Sequence, residues 1–136
     1  MSFELREHTA DIAVEADGET LDEVFAAVAD GMAAAQCDDV PEAGERFAFE
    51  ERAESCEALL FDFLDQLIYE RDVRSVLPTD HEVAIGRDGE EWTVEGTARG
   101  VPLTEVRARE IKAVTYSEMV LEETETGWHA YVVFDM

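Results

Sequence analysis

A chain of 136 residues, 46% of them hydrophobic, suits one domain (1–136) around one core. Thirty-four acidic residues face ten basic ones, a formal charge of −24, which argues against autonomous tight binding to a bare phosphate backbone. No apolar run approaches the roughly 18 residues of a membrane helix, and six acids among the first 20 residues are the reverse of an export signal. The sequence therefore reads as cytoplasmic, without membrane association.

Phe3–His8 (FELREH) opens as a first strand. A second follows, with Ile12, Val14 and Ala16 alternating against Ala13 and Glu15, the period of a half-buried strand. Asp17-Gly18 is a turn signal. Thr20 and Glu23 have capping-box spacing, and Leu21, Val24, Phe25, Val28 and Met32 then form one apolar stripe at helical period. Asp22, Glu23 and Asp30 are expected to face water. This helix ends near Gln36, before a loop with Asp38, Asp39, Pro41 and Gly44.

Phe47 and Phe49 share one face of a third strand. Ser55 is the expected N-cap of a second helix, with Leu60, Phe63, Leu64, Leu67 and Ile68 inward. Asp62, Asp65, Gln66 and Glu70 are expected outward, and the helix must stop before Pro78. His81 is read into a polar loop. HEVAI and EWTVEGTA flank Asp88-Gly89, a strong hairpin signal. EIKAVTY, EMVLEET and WHAYVVFD complete the chain, the last two joined through Thr126-Gly127. Two helices and about seven short strands in this order predict an α+β fold, a mixed or antiparallel sheet with both helices packed on it.

Conventional catalytic motifs are missing: there is no P-loop, GxGxxG, HExxH or nucleophile elbow. Cys37 and Cys56 lack metal-site spacing and read as free thiols. Three spots remain. Asp11 enters an apolar strand although Asp is disfavoured there, so it is either a surface acid or a group that meets a partner or cation. Asp135 ends an apolar strand beside Met136. The pair is either a frayed acidic terminus or a cluster of hard oxygens suited to Ca²⁺ or Mg²⁺. Lys112 is the only lysine beside nine arginines. It is either a solvated strand residue or a compact ammonium doing what a guanidinium cannot.

At these same spots the sequence resembles the archease family. The matching stretches are His8-Thr9-Ala10-Asp11-Ile12, the helix segment from Ala58 through Leu67, Ile111-Lys112-Ala113-Val114-Thr115-Tyr116, and the closing strand with Asp135. The resemblance implies a protein that is not itself an enzyme. It would activate an RtcB-type tRNA-splicing RNA ligase by promoting guanylylation of the ligase and multiple turnover. It also implies a divalent cation, Ca²⁺ first with Mg²⁺ or Mn²⁺ as alternatives, held by Asp11, Asp135 and a backbone oxygen of Met136, and an activating role for Lys112. Ser117 and the short 100–110 segment depart from the family pattern, which often carries histidines there. Two alternatives stand beside this reading: a chaperone-like protein-binding module without catalytic consequence, and a small metal-dependent hydrolase. If Asp11 and Asp135 share an ion, N- and C-terminal strands must meet in one sheet.

The acids are spread along the chain instead of gathered in a tail. That pattern reads as adaptation to a salt-rich cytoplasm, where the Debye length falls to about 3 Å at 1 M and self-repulsion is screened. Thermal unfolding should therefore show a melting temperature that falls steadily from molar KCl to dilute buffer. An undiminished value in dilute buffer would refute the salt-adaptation reading.

Overall fold

Apolar residues recurring every second position build strands here, and those recurring every third and fourth build helices. The computed structural model describes Ser2–His8 and residues 11–136, except the side chains of residues 6–8. Its elements in chain order are β1 (Ser2–His8), β2 (Asp11–Gly18), α1 (Leu21–Gln36), β3 (Glu45–Ala53), α2 (Cys56–Arg74), β4 (Val76–Asp88), β5 (Glu91–Pro102), a 3-10 turn (Leu103–Glu105), β6 (Ala113–Thr124) and β7 (Gly127–Asp135). The fold is α+β with antiparallel pairing, but the strands divide between two sheets. One is ordered β1-β2-β7-β6, the other β3-β5-β4.

Each helix packs against strands of both sheets, so the main core lies among all four bodies. Phe25 of α1, Phe63 of α2 and Phe49 of β3 form its aromatic centre, with ring centroids 5.6 and 5.5 Å apart in tilted geometry. Both predicted caps are in place. The Glu23 amide donates to Thr20 Oγ1 at 3.2 Å, and the Ala58 amide to Ser55 Oγ at 3.1 Å. The Glu23 carboxylate accepts from the Glu19 amide at 2.7 Å, one residue ahead of the usual capping-box partner. α2 stops at Ser75, whose φ of 55° breaks the helical path three residues before Pro78.

Several polar positions differ from the sequence reading. His81 is a buried residue of β4, not part of a polar loop, and its Nδ1 lies 2.7 Å from Asp30 Oδ1. The same carboxylate oxygen accepts the His81 amide at 3.1 Å, and Asp22 Oδ1 accepts the Ile85 amide at 2.8 Å. These two α1 acids thus satisfy amides along β4, an edge strand of its sheet, which blunts that edge. Glu70 is buried, not outward, and takes the Arg74 guanidinium and the Gln66 amide. EIKAVTY and EMVLEET do not form two strands. They contribute to the single β6, whose ladder is interrupted between Thr115 and Val120, with Glu118 at φ 58°.

Gly96 lies where Phe49 and Val83 converge. A Cβ there would sit 2.4 Å from the Glu82 carbonyl oxygen and 2.9 Å from the Phe49 ring. Gly96→Ala should therefore destabilise the fold by about 1–3 kcal/mol through overpacking, and Ser55→Ala by about 1 kcal/mol through loss of the cap. Urea unfolding midpoints check both, and a Gly96→Ala midpoint equal to the parent's would contradict the packing.

Candidate functional site

The β2–β7 ladder places Asp11 directly opposite Asp135. Asp135 is in turn opposite Ala113 of β6, and Asp11 opposite His8 of β1, so one row crosses the whole sheet as His8, Asp11, Asp135, Ala113. Directly opposed residues share a face, with Cβ atoms about 5 Å apart. Ile12, Val14 and Ala16 point with Phe134, Val132 and Ala130 into the core. Asp11 and Asp135 therefore project from the opposite face. Asp11 is half-buried and Asp135 exposed. Of the HTADI stretch, Thr9, Ala10 and the His8 side chain lie outside the described residues.

Lys112 joins this row through its backbone. Its amide donates to the Asp135 carbonyl at 2.8 Å, immediately before β6 begins at Ala113. Its side chain is exposed. Met136 follows Asp135 and is half-buried, its side chain packed against the main core. The residues singled out in the sequence are thus brought to one end of one sheet. Two carboxylates facing each other across a ladder destabilise it unless something compensates them. Their donors are hard oxygens, which fit an alkaline-earth ion and not a thiophilic one. Among the described residues no group of three or more His, Cys, Asp or Glu side chains is arranged to hold a metal. A cation here would rest on the two aspartates and backbone oxygen.

Farther along the same face, the His129 imidazole lies 2.8 Å from Asp17 Oδ1 through Nδ1 and 3.5 Å from Glu15 Oε2 through Nε2. The thiols offer no nucleophile: Cys37 is buried, and burial pushes Cys56 up to about 11. No helix among the described residues is long and apolar enough to cross a membrane.

A second cluster was not found by sequence reasoning. At the interruption of β6, the exposed Tyr116 ring stacks on Phe61 of α2, centroids 4.2 Å apart and planes 6° apart. Beside it Glu51, Asp62 and Asp65 crowd together. Partial burial, then the neighbouring Asp62, Asp65 and Glu50 charges, raise the Glu51 carboxyl. Partial burial and Asp65 raise Asp62, and burial followed by Asp62 raises the Tyr116 phenol. Tyr116 closes the IKAVTY stretch, but nothing local shows that α2 brings Asp62 and Asp65 to Glu51 of β3.

Comparison with known proteins agrees with the resemblance in the sequence. Residues 3–136 match the model of the Archease protein family (MTH1598/TM1083). "Protein archease" of Methanosarcina mazei is 37% identical over 143 residues, covering 98% of this chain and 95% of that one. The solution structure of Methanobacterium thermoautotrophicum protein 1598 is similar at a TM-score of 0.86 with 32% identity, covering 98% of both chains. The crystal structure of a Thermotoga maritima archease, described as a possible chaperone, is similar at a TM-score of 0.64 with 27% identity, covering 96% of this chain and 94% of that one.

The raised carboxyls of Glu51 and Asp62 give a signed pH dependence. Folding favours their protonated forms, so their contribution is fully present below the unfolded-state value of about 4 and is lost as pH rises through the higher folded-state value. Asp62→Asn should raise the melting temperature at pH 7 and leave it unchanged near pH 3. Equal shifts at the two pH values would show that crowded charge is not the cause.

Proposed function

The chain belongs to the archease family, and on that footing we propose that it activates an RtcB-type tRNA-splicing RNA ligase, promoting guanylylation of the ligase and its repeated turnover. It acts as an accessory protein and not as an enzyme, in a salt-rich cytoplasm. The observation that carries this reading is the facing of Asp11 and Asp135 across the β2–β7 ladder, with the Lys112 amide on the Asp135 carbonyl.

The Asp11 and Asp135 carboxylates and a backbone oxygen of Met136 would hold a divalent cation, Ca²⁺ first and Mg²⁺ or Mn²⁺ as alternatives. Such an ion, when bound, supplies concentrated positive charge that offsets the facing carboxylates. Lys112 begins beside this pair and presents the chain's one lysine ammonium to solvent. An ammonium concentrates its charge on one nitrogen. It suits the oxygens of a phosphoryl group in transfer, which spread their charge as the bond to the leaving group loosens. The nucleotide and RNA groove belongs to the ligase, so the acidic body of this chain does not have to approach a phosphate backbone.

A chaperone-like binding module is the second reading. It is favoured by Tyr69 and Val73, 56% and 62% exposed and four residues apart on α2, and by the description of the Thermotoga relative as a possible chaperone.

Guanylylation of the partner ligase with labelled GTP, with and without this protein, separates the readings. The parent should stimulate, and Lys112→Ala, Lys112→Arg and Asp11→Ala should each lose at least tenfold of the stimulation while keeping their fold. EGTA should lower the melting temperature of the parent, Ca²⁺ should restore it, and Asp11→Ala should respond to neither. Full stimulation by Lys112→Ala would remove the lysine from the mechanism. No stimulation by the parent, with Tyr69 and Val73 still needed for ligase binding, would favour the binding module.

A further inference from the structure

Residues 107–112 run between the 3-10 turn and β6 outside any helix or strand. They also complete the C-terminus of α1, whose last carbonyls have no partner within the helix. The Arg109 amide donates to the Gln36 carbonyl at 2.6 Å, and the Arg109 guanidinium donates to the Ala35 carbonyl through Nε at 3.1 Å and Nη2 at 2.9 Å. The Gln36 side chain donates to the Met32 carbonyl at 3.2 Å. Its Oε1 accepts from Arg71 Nη1 at 3.0 Å, and the same Nη1 donates to the Ile111 carbonyl at 2.8 Å. Asp72 faces the remaining edge of Arg71, 3.1 Å from Nε and 3.0 Å from Nη2.

Arg71 and Gln36 are 6% and 2% exposed, and Ile111 is fully buried. A guanidinium this deep is costly unless its donors are used: Nη1 serves Gln36 and the Ile111 carbonyl, and Nε and Nη2 serve Asp72. The peptide joining Ile111 to Lys112 is held on its carbonyl side by Arg71 and on its amide side by the Asp135 carbonyl. A lysine at position 71 could not do the same, because one ammonium nitrogen cannot stand at the Nη1 place between Gln36 and Ile111 and also at the Nε–Nη2 edge that faces Asp72.

We propose that Arg71, seated on Gln36, is a positioning residue that sets Lys112 beside the Asp11–Asp135 pair. This rests on the reading of Lys112 given above only in its functional consequence. The geometry is testable without the ligase, because Lys112 is the chain's sole lysine. Protein grown with ¹⁵N-lysine gives one backbone amide cross-peak, and that amide is the one bonded to Asp135.

Arg71→Met and Arg71→Lys should move that cross-peak and speed its exchange with solvent at least tenfold, while the slowest-exchanging core amides keep the parent's rates. Gln36→Ala should do likewise, whereas Gln36→Glu, which keeps an acceptor for the guanidinium but loses the donor to the Met32 carbonyl, should stay nearer the parent's peak and rate than Gln36→Ala. In the guanylylation assay Arg71→Met should lose at least fivefold of the stimulation and Gln36→Glu should keep it. An unchanged Lys112 peak and rate in Arg71→Met overturns the proposal. So does acceleration of Lys112 and core amides by one common factor, the mark of a general loss of stability. If Arg71→Met fails to fold, the Gln36→Ala and Gln36→Glu pair decides by the same readouts. Full stimulation by Lys112→Ala would overturn the functional reading instead, leaving the exchange data to judge the positioning.

Discussion

The register between β2 and β7 is the constraint on which the site depends. Its inward face sets Ile12, Val14 and Ala16 against Phe134, Val132 and Ala130, and Val14, Val132 and Phe134 are fully buried. A slip of one residue would turn this set outward and carry Asp11, Ala13, Glu15 and Asp17 into the core. Burying one such apolar side chain is favourable by about 1.5–3 kcal/mol. Two carboxylates about 5 Å apart near the surface repel by about 1 kcal/mol in water and about 3 kcal/mol at an effective dielectric constant of 20. Several buried side chains outweigh one such repulsion. The facing of Asp11 and Asp135 is therefore imposed by the core, and the ladder holds it whether or not a cation is bound.

The sparse positive charge of the chain is deployed in a consistent way. Arg46 reaches Asp80 and Thr97, Arg99 reaches the carbonyls of Pro41 and Ala43, Arg71 reaches the Ile111 carbonyl, and Arg109 reaches the Ala35 carbonyl at the end of α1. Each of these guanidinia ties its own element to a stretch distant in sequence, often through backbone oxygens. That role depends on planar, multiple donors. The single ammonium, on Lys112, is exposed and joins the fold through its backbone amide. The lysine thus differs from these four arginines, whose guanidinia are engaged with the fold.

What was legible in the sequence followed from local signals. Thr20 and Ser55 start the two helices, Gly89 sits at positive φ in the predicted hairpin, and Phe47 and Phe49 share a buried face. The meeting of the second and last strands was legible only because the resemblance to the archease family pairs Asp11 with Asp135. What stayed hidden depends on partners far away in sequence. His81 looks like a loop histidine until Asp30, 51 positions away, receives it. Glu70 is different, since its partners Arg74 and Gln66 are each four residues away on α2, and only its burial depends on what packs over the helix. The division into two sheets is equally nonlocal, because each helix shows one apolar stripe whether it packs on one layer or between two. Arg71 gives no sign at all, since an arginine in the last turn of a helix is usual where the dipole favours it.

The connections that assemble the site share one property. Asp11 reaches Asp135 through the ladder, Lys112 reaches Asp135 through its amide, and Arg71 reaches the lysine segment through the Ile111 carbonyl. At each of the three candidate residues the joining atoms are backbone atoms. The Asp11, Asp135 and Lys112 side chains can then be exchanged without cutting the bonds that bring them together. At Arg71 and Gln36 the reverse holds, because there the side chains are the joint. A substitution at the first three separates chemistry from folding, and a substitution at the other two separates geometry from chemistry. The two sets can therefore be read independently, even though they meet at a single peptide bond.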